Sequence, residues 1–163
     1  IVEYAEQIIP VIRANSPDSV ILVGTPNYCT DFTGPSKQPL KYDNIMYTMH
    51  RYIDVTVEKP CENALLESVV AQGIPVFVSE WGTSAEEEAV LKSGEYDNEA
   101  VTYQENAKPF IDYMKEHRIS WTAWALGNKE EAHSMIRSSC DKYSGWTSND
   151  LTDFGRLIFS NFK

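Results

Sequence analysis

Ile74-Pro75-Val76-Phe77-Val78-Ser79-Glu80-Trp81-Gly82 is the stretch on which the reading of this chain turns. Gly73 and Pro75 break whatever precedes it, and Val76-Phe77-Val78 is too short for a helix, so the run reads as a buried strand. Glu80 closes that strand, with an aromatic residue and a glycine behind it. A carboxylate at the C-terminal tip of a buried strand is badly placed for solubility. It is well placed for chemistry, because α/β barrels build their active sites at that end of their strands. A strand-end Glu that only reaches solvent or caps the next helix is the plain alternative, and Glu80 alone does not separate the two.

Outward from this strand, apolar segments alternate with helical ones. Residues 4–14 carry Ile8, Val11 and Ile12 at helical spacing and stop at Asn15-Ser16-Pro17. Val20-Ile21-Leu22-Val23-Gly24 reads as a strand, and Asn44-Ile45-Met46-Tyr47-Thr48-Met49-His50 as a second. Residues 62–72 form an amphipathic helix through Leu65, Leu66, Val69 and Val70, with Gly73 as its stop. After the third strand over 76–80, a helix is expected over 99–117, where Pro109 predicts either a kink or a late start. Residues 119–125 make the fourth strand and 153–161 a closing helix. Long polar loops follow the strands, at 25–43, 82–98 and 126–149, and such loops on one rim are usually functional. This order predicts βα units and a mostly parallel sheet. A closed (β/α)8 barrel needs eight strands and about 250 residues, so four units are half of one.

Composition narrows the classes. A chain of 163 residues suits one domain with a single core, and no second domain is expected. Its 24 acidic against 14 basic residues give a net charge of −10, which repels phosphate backbones and argues against nucleic acid as a partner. No apolar run approaches the length of about 18 residues that a membrane span requires, so no membrane partner is expected. Cys29, Cys61 and Cys140 show no CxxC spacing and no paired histidines, so no zinc site is expected. At most one disulfide is possible, which leaves the redox compartment open. The N-terminus has no basic region followed by an apolar stretch and no initiator Met, and it reads as the inside of a helix of a processed or excised chain.

The strand ends supply the chemistry. The first gives Asn27, Tyr28 and Asp31; the second gives His50 and Tyr52, two apart and so on one side of an extended strand. The third gives Glu80 and the fourth Trp124. Aromatic faces stack on pyranose rings, and a carboxylate can attack or stabilise an oxocarbenium-like centre, so this set suits sugar chemistry. A phenol beside the carboxylate can fix its rotamer and favour its ionised form.

The segments 44–52, Gly73 to Ser84 and Ile119 to Leu126 closely resemble glycoside hydrolase family 5, and within it the bacterial endo-β-1,4-glucanases. Asn128-Lys129-Glu130-Glu131, Gly145-Trp146 and the Leu151-Thr152-x-x-Gly155 close fit the same group. The resemblance implies a TIM (β/α)8 barrel of which this chain covers approximately strands 5–8, residues 1–163 forming the C-terminal half of the catalytic domain. It implies a secreted, retaining hydrolase of cellulose or a related β-glucan, which requires no metal or other cofactor. Glu80 matches the family nucleophile, and His50 and Tyr52 match the pair that positions nucleophile and sugar. Trp124 matches the platform under the sugar, Lys129 and Glu131 match contacts to a more distant glucose, and Tyr28 stands where relatives often carry Trp.

One departure matters. The family's general acid/base is a Glu in an Asn-Glu-Pro-like motif, which is absent; Glu58-Lys59-Pro60 lies in a linker ahead of a helix. The early-strand Arg and His of the family pocket are absent as well. A half barrel leaves two strand edges and an apolar interior open, so an N-terminal half barrel, in the same protein or a second chain, is the expected partner besides the glucan. Mannanase, xylanase or mixed-linkage glucanase activity stays open as an alternative, as does a catalytically incomplete sugar-binding fragment. Trp121, three residues from Trp124, faces the other side and belongs to the core. Glu86-Glu87-Glu88 reads as a solvated helix start. His117 and His133 have no role in this reading, and Tyr42, Tyr47 and Tyr103 read as surface or core aromatics.

Overall fold

The structure, a computed structural model, describes residues 1–84 and 103–162. In order along the chain it contains α1 (Val2–Asn15), β1 (Ile21–Val23), α2 (Thr33–Lys37), β2 (Ile45–Asp54), α3 (Ala64–Ala71), β3 (Val76–Ser84), α4 (Lys108–Glu116), β4 (Trp121–Ala123) and α5 (Asp153–Asn161). The four strands form one sheet in the order β1-β2-β3-β4, every neighbour parallel. Sequential order in a parallel sheet means that each connection crosses over on the same side, which is the build of an α/β barrel. Among the described residues, the outer edges of β1 and β4 pair with no further strand.

The core lies between one face of the sheet and the helices. Ala5 and Ile9 of α1, Leu66 and Val69 of α3, Phe110, Ile111 and Met114 of α4, and Phe154 and Ile158 of α5 are buried there. On β1, Ile21 and Val23 point into that layer while Leu22 between them is exposed on the opposite face, the two-residue alternation of a strand. Trp81 is the centre of the layer, edge-on to Phe110, Trp121 and Phe154 at centroid distances of 5.7, 5.6 and 5.8 Å. Trp121 therefore belongs to the core, with its ring also tilted against Phe162.

Local chemistry sets the helix ends. Gly73 adopts φ +69 two residues beyond the end of α3, the left-handed stop that glycine makes without cost. Pro109 stands in the first turn of α4, so of the two expectations for this helix the late start is the one realised; a turn of 3₁₀ helix, Gln104–Ala107, leads into it. The expected helix residues 99–102 and the Glu86-Glu87-Glu88 stretch lie outside the described residues. Thr152 caps α5 by accepting from Gly155 N at 3.0 Å. A Cβ on Gly155 would lie 2.0 Å from the Met135 carbonyl oxygen, so only glycine lets α5 seat against the loop after β4.

Two strands run longer than the sequence pattern indicates. β2 continues past His50 to Asp54, and β3 continues past Glu80 to Ser84, because the two keep pairing through Asp54↔Ser84. Glu80 is therefore inside a strand and not at its tip. Residues 25–43 are also structured beyond a plain loop: they contain α2 and a turn, Pro26–Cys29, in which Asn27, Tyr28 and Cys29 all take positive φ. Three consecutive left-handed non-glycine residues cost on the order of 1 kcal/mol each. The three cysteines are free thiols.

Candidate active site

Glu80 owes its direction to a β-bulge. At the start of β3, Val76 and Val78 point into the core, and strict alternation would send Glu80 after them and Trp81 to the opposite face. The pairing instead steps from Met49↔Val78 to His50↔Glu80, leaving Ser79 as the extra residue. Beyond that step Trp81 is fully buried, while the Glu80 side chain keeps 25% of its surface exposed on the other face. The energetics favour this parity twice over. Burying a Trp ring of roughly 200 Å² contributes about 5 kcal/mol at about 25 cal/mol per Å². Burying an unpaired carboxylate in its place would cost several kcal/mol.

β2 meets this carboxylate with two side chains from its non-core face. Tyr47, Met49 and Ile53 are buried, so the intervening His50 and Tyr52 point the other way, half-buried. The Tyr52 hydroxyl donates to Glu80 Oε1 at 2.6 Å, a short charge-assisted bond. His50 Nδ1 lies 3.9 Å from the other oxygen, Oε2, outside hydrogen-bond range but close enough to act on its charge. The far nitrogen, His50 Nε2, shares a hydrogen bond of 3.1 Å with Ser79 Oγ, which orients the ring. Burial pushes the Tyr52 phenol far above its ordinary range, and the bond to Glu80 and the charges of Glu80 and Glu131 push the same way. Tyr52 is thus held as a donor, and Glu80 as its acceptor.

The loop after β4 closes the other side. Trp124 donates its backbone N–H to Trp81 O at 2.8 Å, and its side chain is half-exposed; the Trp124–Ala125 peptide is cis. This close approach requires Gly82: a Cβ there would lie 2.7 Å from Trp124 O, 3.0 Å from His133 Cβ and 3.3 Å from a Tyr52 ring carbon. Thr83 Oγ1 donates to Ala132 O at 3.1 Å and ties the same loop to β3. Lys129 Nζ and Glu131 Oε1 are 3.9 Å apart on this loop, and Glu131 Oε2 is 3.0 Å from His133 Nε2.

Of the residues singled out in the sequence, the structure joins Tyr52 to Glu80 by a hydrogen bond with His50 facing the carboxylate at 3.9 Å, anchors the Trp124 backbone to Trp81, and sets Glu131 against His133. Lys129 meets this group only through Glu131. Tyr28, 90% exposed on the strained turn after β1, makes no side-chain bond to that group among the described residues. Two neighbours were not foreseen. Ser79 carries no signal, because alternation places it opposite Glu80 and only the bulge brings both to the same face. His133, given no role from sequence, packs edge-on against Tyr52 with ring centroids 5.6 Å apart. Its loop has no periodicity from which that contact could be read.

A parallel sheet backed by helices, with a half-buried carboxylate between a phenol and an imidazole on its open face, defines part of an α/β-barrel protein whose site lies toward the strand ends. The chain belongs to the cellulase family, glycosyl hydrolase family 5, whose model matches residues 1–130. It is 37% identical over 155 residues to an endoglucanase of Clostridium saccharobutylicum, covering 95% of this chain and 32% of that protein. It is 38% identical to endoglucanase A of Butyrivibrio fibrisolvens, covering 92% of this chain and 32% of the relative. The catalytic domain of Thermobifida fusca endoglucanase Cel5A, solved as a variant in complex with cellotetraose, superposes with a TM-score of 0.76 at 27% identity, over 98% of this chain and 51% of that one. The chain thus spans about a third of the length of the curated relatives it matches and about half of the solved domain. Its fold is part of a (β/α)8 barrel.

Proposed function

We propose that this chain is the C-terminal half, approximately strands 5–8, of the catalytic barrel of a retaining endo-β-1,4-glucanase, and that it supplies the nucleophile. The observation that carries this reading is the Glu80 carboxylate, half-buried, held at 2.6 Å by the Tyr52 hydroxyl and faced at 3.9 Å by His50. A nucleophile of this kind attacks the anomeric carbon and needs a fixed rotamer, which the bond from the phenol supplies. Glu80 Oε2, which Tyr52 leaves free, is the oxygen available to the sugar.

In a retaining mechanism a second carboxyl, about 5–5.5 Å from the first, protonates the leaving oxygen and later activates water. The polar partners of Glu80 among the described residues are Tyr52 and His50, and neither is a carboxylic acid. The acid/base Glu is therefore assigned to the N-terminal half barrel, which also pairs with the open edges of β1 and β4. Trp124, half-exposed on a backbone bonded to the residue after Glu80, is the stacking floor for a glucose ring, with Lys129 and Glu131 reaching the next unit and Tyr28 a further ring. A polymeric glucan does not cross a membrane, so the reading places the enzyme outside the cell.

The test is covalent trapping in the full-length protein. A 2-fluoro cellobioside inactivator should add one glycosyl unit to the peptide that contains Glu80, and Glu80→Gln should abolish both labelling and turnover of carboxymethylcellulose while cello-oligosaccharides still bind. Labelling elsewhere refutes the nucleophile assignment. Higher turnover on mannan, xylan or mixed-linkage glucan would move the substrate assignment to that polymer.

A further inference from the structure

We infer that His133 is a positioning residue that holds the Tyr52 phenol in register with Glu80; the inference rests on the reading of Glu80 as the nucleophile. Three separate contacts fix the histidine. Its carbonyl accepts from Ala125 N at 2.9 Å, which pins its backbone to the end of β4. Its Nε2 lies 3.0 Å from Glu131 Oε2, which sets the plane of the ring. Its Cβ seats in the space that Gly82 leaves open. The ring so held meets Tyr52 edge-on, with an interplanar angle of 68°, the favoured geometry for an aromatic pair.

Tyr52 has to be held for its bond to matter. A phenol turns freely about χ2 and swings about χ1, and a bond of 2.6 Å to Glu80 tolerates little of either. Gly82 borders one ring carbon and His133 packs on the ring itself. Without the imidazole one side of the phenol would open to the loop, and the ring could swing away from Glu80. The charged groups facing His133 are Glu131 directly, Lys129 behind Glu131, and Glu80 through Tyr52. Because a carboxylate only accepts, Nε2 is the donor in the bond to Glu131.

The chain Glu131–His133–Tyr52–Glu80 thus runs from a residue proposed to touch a distant glucose to the proposed nucleophile. It would let a sugar seated at Glu131 steady the carboxylate at the cleavage point.

The experiment compares His133→Ala with His133→Phe in the full-length protein, using two readouts. The first is the Tyr52 ¹³Cζ chemical shift in labelled protein at neutral pH, assigned with Tyr52→Phe; it needs no turnover and so stands even if the nucleophile assignment fails. His133→Ala should move it toward that of a solvated phenol, and His133→Phe, which keeps a ring but no bond to Glu131, should restore most of the difference. The second is kinetics: His133→Ala should lower kcat about ten- to a hundredfold, the scale of a misplaced catalytic group, with KM little changed. His133→Phe should recover it in part. Should the alanine variant fail to fold, His133→Asn, which keeps a donor toward Glu131 but has no ring, takes its place with the same expectation. An unmoved Tyr52 signal and kcat in the ringless variants, or failure of the phenylalanine to restore either, overturns the inference.

Discussion

The hydroxyl of Tyr52 and Oε1 of Glu80 are 2.6 Å apart across two neighbouring strands, donor on β2 and acceptor on β3. The bond exists because the bulge at Ser79 puts His50 opposite Glu80 in the ladder, so that Tyr52, two residues on, leans over the carboxylate. Removing the hydroxyl leaves Glu80 with its rotamer free. Tyr52→Phe should therefore lower kcat by about ten- to a hundredfold, matching the 1.5–3 kcal/mol of a hydrogen bond to a charged group. Steady-state kinetics on the full-length protein check this, and a kcat within a factor of two of the parent would show that the phenol does not prepare the nucleophile.

Trp124 presents a half-exposed indole on a backbone anchored to Trp81, the residue after Glu80. Trp124→Ala should weaken cello-oligosaccharide binding by about 1–3 kcal/mol, the scale of aromatic stacking on planar ligands. The measurement is calorimetry on the Glu80→Gln variant, where no turnover intervenes. Equal affinities would remove Trp124 from the glucan path.

Gly82 is where the β4 loop, Tyr52 and β3 touch. A methyl group there meets the Trp124 carbonyl oxygen at 2.7 Å, and backbone cannot step aside as a side chain can. Gly82→Ala should cost about 1–3 kcal/mol of stability, as overpacking does, and should disturb the Tyr52 signal as well. Urea unfolding monitors the first effect. A fully stable variant with an undisturbed Tyr52 would mean the loop sits more loosely than its contacts imply.

Asp150 accepts from Lys142 Nζ on both oxygens at 2.8 Å, and from Thr147 N at 2.7 Å and Thr147 Oγ1 at 2.8 Å. The Lys142 ammonium first, and then the two Thr147 donors, hold its carboxyl well below the usual carboxylate range. A depressed folded value means that the unfolded chain binds the proton more readily, so this contribution is present above the ordinary Asp value of about 3.9 and fades as pH falls below it. Asp150→Asn should lower the urea midpoint at neutral pH, and the gap from the parent should close as pH falls toward 2. A gap that stays constant with pH would show that the carboxylate's charge is not what secures this loop.

Much of the framework was readable without coordinates. The alternation of Val20–Gly24, Asn44–His50, Val76–Glu80 and Ile119–Ala125 with amphipathic stretches implied a parallel sheet backed by helices. The spacing of His50 and Tyr52 implied a shared face. These follow from the two-residue period of strands and the 3.6-residue period of helices, which the chain carries locally. Pro109 was ambiguous between a kink and a late start, because proline forbids an interior N–H but not a first-turn one. The extension of β2 and β3 to Asp54 and Ser84 was hidden, since the ladder between them depends on pairing and not on either strand's composition.

The residue types themselves determined that a carboxylate, an imidazole and a phenol would be carried on neighbouring strands beside apolar runs that bury, although His50 and Glu80 turned out to lie within β2 and β3 rather than at their tips. Only the tertiary structure decided which way Glu80 points. A single extra residue at Ser79 reverses the parity of everything after it, sending Trp81 inward and Glu80 outward, and no local period encodes a bulge. The same holds for His133, which reaches Tyr52 from a loop more than 80 positions away in sequence only because Gly82 leaves space for it. Contacts of that kind are set by packing between distant segments, which composition and spacing do not record.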